Sequence, residues 1–375
     1  MEIALAGLAA LAVAMGIGRF AFTPILPMMQ QDAGLSVAGG GWLASANYLG
    51  YLAGALWAGA TRADAATAIR AGLAAIGLAT LAMALDVGFA AWALLRAIAG
   101  VASAWVLIHT SAWVLERIAP LGRPILAGVL YAGVGTGIVI AGSLCLLLMA
   151  MQKDSASAWF VLGMVSIAIT AALWPLFADS NEKGKTISGP HRWSWAQARL
   201  VLAYGAYGFG YIIPATFLPV MAREVVNDPA VFGWAWPVFG AAAALSTLGI
   251  ALLAGRTGNP GANRVAWIGS QLAMALGVAA PLFWPGIGGI VLAALCVGST
   301  FVVITMVGMQ EARTVAGAQA SRLMAAMTAA FAAGQIVGPL SVSFLAGAGG
   351  GFAAALLIAG AVLVAGVVLL AISSR

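Results

Sequence analysis

The sequence is poor in charge. Of its 375 residues only 7% are Asp, Glu, Lys or Arg, against about 25% in a soluble domain. With 63% hydrophobic residues and a mean hydropathy of +1.04, the chain has too little polar surface to cover itself in water, and lipid must solvate most of it. No Asp or Glu falls inside an apolar run; Glu116 and Glu311 sit at the ends of such runs. Histidine occurs only as His109 and His191, and cysteine only as Cys145 and Cys296. Both cysteines lie within apolar segments, where a lone thiol packs as a small apolar side chain. A metal centre or a membrane-embedded enzyme needs a cluster of His, Cys, Asp or Glu, so no metal, no cofactor and no enzymatic activity are expected. The net charge of +6 does not point to nucleic acid, because the basic residues sit in short loops between apolar runs. The N-terminus lacks the basic region of a secretory signal, and no soluble domain is expected at either end.

What the sequence has in abundance is long apolar runs. A helix crosses a bilayer with about 20 such residues. Runs of that order lie near 3–28, 39–60, 68–85, 89–115, 124–151, 156–177, 197–222, 230–254, 264–283, 288–309, 322–345 and 350–372. They are about twice the length of a barrel strand and do not alternate polar with apolar. The expected fold is therefore an all-α integral membrane protein with twelve transmembrane helices. With the N-terminus inside, thirteen of the seventeen Lys and Arg fall on the cytoplasmic side and only Lys153 and Arg223 outside. Basic loops are retained in the cytoplasm, so both termini are expected there, in a bacterial inner membrane. The longest polar stretch, 179–196, then joins an N-terminal six-helix bundle (1–178) to a C-terminal one (197–375).

The two halves repeat. At an offset of 192, Gly16, Gly18, Leu26, Pro27 and Met29 fall on Gly208, Gly210, Leu218, Pro219 and Met221, and Gly41-Trp42 on Gly233-Trp234. At an offset of 201, Gly133 and Gly137 fall on Gly334 and Gly338. Parallel six-helix repeats of this kind carry a substrate site near the midplane between them. Arg19 breaks the symmetry, because its counterpart is Tyr211.

On these residues the chain resembles the major facilitator superfamily over essentially its whole length. Leu95-Arg96-Ala97-Ile98-Ala99-Gly100 looks like the superfamily's fourth-helix signature. The loop signature between helices two and three is degraded to Gly59-Ala60-Thr61-Arg62-Ala63-Asp64, and its counterpart Gly255-Arg256-Thr257-Gly258 lacks the acid. Within the superfamily the likeness is to the YbfB/YjiJ-like branch, carried by the segments at 16–27, 41–54, 207–219 and 334–339. The resemblance implies alternating access, with helices one, four, seven and ten lining a cavity and three, six, nine and twelve facing lipid.

The polar residues follow the same division. The third helix has Thr80 as its one notable polar group, while the fourth has Arg96, Ser103, His109, Thr110 and Ser111. Arg19 lies eight residues before Pro27 and Arg96 seven residues after Phe89, so both are about 10–12 Å deep from the same side. Arginine stays protonated and grips a carboxylate with two parallel bonds. Two cations with no acid in any span call for a counter-charge, and an anionic small-molecule substrate supplies one. The expected substrate residues are Arg19, Thr23, Arg96, Ser103, Tyr207 and Tyr211, the two tyrosines sharing a helix face with Tyr204. Asn47, Tyr51, His109 and Gln335 are the expected gate or coupling groups. Each also has a plainer reading as an interhelical hydrogen bond, and His109 points about 140° away from Arg96. Protons are a coupling ion to consider, through His109 or the substrate itself; exchange of anions needs no titratable group. The alternative is proton-coupled efflux of hydrophobic compounds, with Trp234, Trp236, Phe239 and the Met-rich eleventh helix forming an apolar pocket. The absence of an intramembrane carboxylate argues against it. A monomer is the default expectation.

Overall fold

A computed structural model describes the backbone of residues 1–61, 63–177, 193–225, 229–257, 261–347 and 351–372. Most of the expected linker, 179–192, lies outside the described residues. Among them no strand occurs, and the helices form twelve rods. These are α1 (Glu2–Asp32), α2 (Val37–Ala60), α3 (Ala65–Ala82), α4 (Phe89–Ile118), α5 (Ile125–Ala150) and α6 (Ser155–Leu173). After the linker come α7 (Trp195–Val225), α8 (Pro229–Thr257), α9 (Ala262–Phe283), α10 (Ile287–Ala316), α11 (Ala320–Gly347) and α12 (Gly351–Ala371). Most match the apolar runs to within a few residues, and the displaced ends have local causes. The third helix starts at Ala65 because Asp64 caps it, accepting from the Thr67 N–H at 2.8 Å. Asp154 caps α6 in the same way through Ser157, and those bonds hold its carboxyl below the usual range. Asp32, at the far end of α1, ties that helix to α6 by accepting from the Ser155 hydroxyl at 2.6 Å.

The first helix departs from expectation. Glu2–Leu11 and Phe22–Asp32 are α-helical, but Ala12–Phe20 between them is π-helical. Periodicity cannot reveal such a segment in a uniformly apolar run. Pro24 and Pro27 remove two backbone donors just beyond it.

The molecule exposes large apolar side chains and buries several of its polar ones in an otherwise apolar core. Leu78, Leu245 and Leu276 are 61%, 68% and 72% exposed, while Arg19, Asn47, Arg96, Gln271 and Gln335 are buried. Large leucines on that surface require lipid against them, as do the nine stretches among the described residues long and apolar enough to cross a membrane. The chain is a multi-pass membrane protein.

The helix pairings of the first six rods recur in the last six. α1 packs on α5 as α7 does on α11; α2 on α4 as α8 on α10; α3 on α4 and α6 as α9 on α10 and α12. The two sets meet chiefly where α5 crosses α8 and α2 crosses α11, themselves a symmetric couple. The repeated glycines make the crossings. A Cβ on Gly137 would stand 2.3 Å from the Ala12 carbonyl oxygen of α1, and one on Gly208 would stand 2.3 Å from that of Phe331 on α11. Between the sets, a Cβ on Gly135 would meet the Gly240 carbonyl oxygen at 2.4 Å.

Gly137→Ala therefore forces α1 and α5 apart and should cost about 1–3 kcal/mol, the range for overpacking. It is read as a lower unfolding temperature in detergent. Gly249→Ala is the control: nothing lies within 4 Å of a Cβ there, and its unfolding temperature should not fall.

Candidate functional site

Seven rods, α1, α2, α4, α5, α7, α10 and α11, enclose one central cavity, whose wall includes Arg19, Tyr51, Tyr204, Tyr207, Phe301 and Phe331. Its volume is about 20 Å³, room for one water molecule and not for a solute. The rods must part before anything larger binds.

Arg19 sits at the end of the π-helical segment and is 4% exposed. The Tyr51 ring of α2 lies 3.9 Å from its guanidinium carbon, and those of Tyr48, Phe20 and Phe331 stand at 5.6–5.8 Å. Its Nη2 donates to Oε1 of Gln335, a residue of α11 in the other helix set. Among the described residues its Nε and Nη1 meet no acceptor, and neither does Nε2 of Gln335. Among the described residues no carboxylate pairs with Arg19, whereas Arg264 pairs with Glu311 at 3.2 Å, at the end of the bundle where Arg313 also lies.

Arg96 is equally buried but differently used. Its Nη1 and Nη2 donate to the carbonyls of Gly18 and Arg19 at 3.2 and 3.3 Å, and its guanidinium packs over Phe22 and Trp159. Asn47 joins it by donating to the Arg96 carbonyl at 2.9 Å, with a longer contact of 3.5 Å to that of Gly18. The bonds to Gly18 and Arg19 satisfy backbone oxygens at the end of the π-helical segment, whose hydrogen bonds are displaced from the α pattern. Ser103, two turns along α4, donates at 2.7 Å toward the Ala14 carbonyl of α1 and the Ala99 carbonyl of its own helix. Arg96, Asn47 and Ser103 thus grip the backbone of α1, and Arg19 projects from the segment they hold.

On α7, Tyr207 donates to the Phe301 carbonyl of α10 at 2.7 Å, and Tyr211 stacks on the Phe301 ring at 5.4 Å. Phe331 ties the two tyrosines together, 4.9 Å from Tyr207 and 6.2 Å from Tyr211. His109 stands off the cavity: its Nδ1 is 2.9 Å from the Trp105 carbonyl, the Trp105 ring packs beside it, and the Trp57 ring packs on Trp105. Thr23 is exposed on α1 and outside the cavity wall. Trp234 is 64% exposed, whereas Trp236 and Phe239 stack on each other and Phe239 on Phe301.

Of the residues read from sequence, the structure brings together Arg19, Gln335, Tyr51, Tyr207 and, at one remove, Tyr211. It gathers Arg96, Asn47 and Ser103 into a second cluster, and leaves Thr23 and His109 apart from both. Sequence reasoning missed Phe301 and Phe331. Their signal was spacing: Phe331 lies four residues before Gln335, and Phe301 four before Thr305, so each shares a helix face with a polar cavity residue.

The human organic anion transporter MFSD10 (TETRAN) has a similar structure, with a TM-score of 0.74 over 98% of each chain at 14% sequence identity. That likeness gives the fold. No curated protein matches the sequence. Residues 11–371 match the family described as "Uncharacterised MFS-type transporter YbfB". With nearly the whole chain covered, and the fold and paired helix sets agreeing, the protein belongs to this YbfB-type family of major facilitator superfamily transporters.

Proposed function

We propose that this transporter moves a small organic anion across the bacterial inner membrane by alternating access between two halves, 1–178 and 197–375, with both termini in the cytoplasm. The observation that carries the proposal is Arg19: a guanidinium 4% exposed, in the central cavity, with two nitrogens lacking an acceptor and no carboxylate beside it. Arginine remains charged under any physiological condition. Burying it costs about 2.5–3.5 kcal/mol even on insertion scales, and several kcal/mol more lies in unmade charge-assisted bonds. An anionic solute supplies the missing acceptors at the place where the two halves meet. The similar fold of an organic anion transporter agrees with this reading without carrying it.

In this reading Arg96 is a positioning residue that holds α1 while Arg19 takes the solute. The closed cavity is an intermediate in which the halves meet through Arg19 and Gln335. They also meet at the basic end, where Arg313 donates to the Glu116 carbonyl at 3.4 Å. His109 is set outside the coupling path, since its ring is spent on packing against Trp105. The solute acts as a secondary-transport substrate on a monomer, alone or with a proton.

Efflux of hydrophobic compounds is the second reading, favoured by one observation. The wall is mostly aromatic and aliphatic, with Phe301, Phe331, Phe20 and Met15 among its members.

The two readings part on a thermal-shift screen of detergent-purified protein. A ligand at a hundredfold excess over its Kd adds about 2.7 kcal/mol to the folded state and raises the unfolding temperature. Organic anions should raise it for the wild type and not for Arg19→Gln, while lipophilic cations do neither. A response to lipophilic cations alone, equal in both proteins, would hand the site to efflux. Arg96→Gln should instead lower the unfolding temperature of the ligand-free protein, by releasing two backbone carbonyls of α1. The pH profile of uptake into proteoliposomes should be unchanged in His109→Asn; a flattened profile would return the proton to that residue.

A further inference from the structure

The geometry points to an aromatic monocarboxylate as the solute, with Gln335 as its second anchor; this rests on the anion reading of Arg19 and narrows it. Three buried nitrogens in one place lack an acceptor: Nε and Nη1 of Arg19 and Nε2 of Gln335. All three are donors. They stand on opposite halves, α1 and α11, joined by the bond from Arg19 Nη2 to Gln335 Oε1. The Tyr51 ring lies 3.9 Å from the guanidinium carbon, and Nε and Nη1 remain to donate. A ligand end that meets this set must accept and not donate, and a carboxylate does so with two oxygens in one plane.

The remainder of the wall decides what the other end of the solute is. Two of the wall's hydroxyls are already committed, Tyr207 and Thr305 both donating to the Phe301 carbonyl at 2.7 and 3.0 Å. Beyond them the surface is ring after ring: Phe331 within 4.9 Å of Tyr207, and Phe301 at 6.0 Å from Phe20 and 5.4 Å from Tyr211. A second carboxylate would be buried among these rings with no second cation in the wall to meet it, which is strongly unfavourable. A flat apolar body suits them, since it enters between rings in the stacked or edge-on arrangements they already adopt with one another. The site therefore has one anionic end and one aromatic end, and selects against dicarboxylates.

The experiment compares benzoate, its neutral amide benzamide, and succinate as thermal-shift ligands for the full-length protein in detergent, together with Arg19→Gln and Gln335→Glu. Benzoate should raise the unfolding temperature of the wild type, and succinate and benzamide should not. Gln335→Glu places a carboxylate of the protein itself on Arg19. It should raise the unfolding temperature without ligand and weaken benzoate binding by at least about tenfold, as one lost charge-assisted bond implies. If that variant is not monodisperse, Gln335→Leu replaces it with the same required loss. Succinate binding as tightly as benzoate, and depending on Arg19, would overturn the aromatic monocarboxylate while leaving the anion reading intact. Benzamide matching benzoate, benzoate binding undiminished in Arg19→Gln, or no shift with either carboxylate would overturn both. Full benzoate binding in Gln335→Glu would remove Gln335 from the site.

Discussion

In lipid no hydrophobic force draws one apolar helix to another, because acyl chains solvate leucine as well as a neighbouring helix does. A bundle of this composition therefore rests on contacts that lipid cannot make, and here those are backbone-to-backbone approaches at glycine. Gly133 and Gly137 seat α5 against Leu8 and Ala12, while Gly208 and Gly334 seat α7 against α11, at distances where a methyl group has no room. The same device joins the two helix sets at Gly135 and Gly240. Contacts made by backbone atoms hold few side chains in fixed rotamers, so surfaces of this kind can slide without first being unpacked. In the proposed alternating access, the crossing at Gly135 and Gly240 is thus one at which one half moves on the other.

The charged groups follow a second logic laid over that frame. Two arginines at similar depth in adjacent helices look alike as sequence but have opposite surroundings. Arg96 is turned toward carbonyl oxygens of α1 that the π-helical segment leaves available, and acts as a clamp within one half. Arg19, at the end of that segment, has one side-chain partner across the interface and two nitrogens without any. The end of the π-helical segment serves both: the carbonyls of Gly18 and Arg19 meet Arg96, while the Arg19 side chain meets Gln335 of the other helix set.

Much of the fold was legible because the bilayer leaves so few options. Run length and the absence of alternation gave the helices; the glycine repeat anticipated the paired crossings, since residues matched by offset perform the same packing in each half. Arg19 and Gln335 were legible as polar groups without an excuse in apolar surroundings. The equivalence of Arg96 to Arg19 was not resolved, because a sequence shows that an arginine is buried but not whether backbone oxygens lie within its reach. The π-helical segment was invisible for a related reason: it displaces hydrogen bonds without changing which residues are apolar. The aromatic wall was missed because Phe301 and Phe331 are ordinary residues for a membrane helix, and only the tertiary arrangement sets them beside a cation.

The unneutralised Arg19 also has an electrical consequence. The membrane potential weighs about 2.3 kcal/mol per 100 mV on each elementary charge carried through it. In a carrier working as proposed, taking up a monoanion lowers the charge held inside the protein by one unit, whatever Arg96 contributes. The loaded and empty forms then differ in the charge on which the field acts, and their two reorientations cannot both be indifferent to voltage. An inside-negative potential draws the more positive, empty form toward the cytoplasmic-facing state, so voltage sets the side on which the vacant carrier waits.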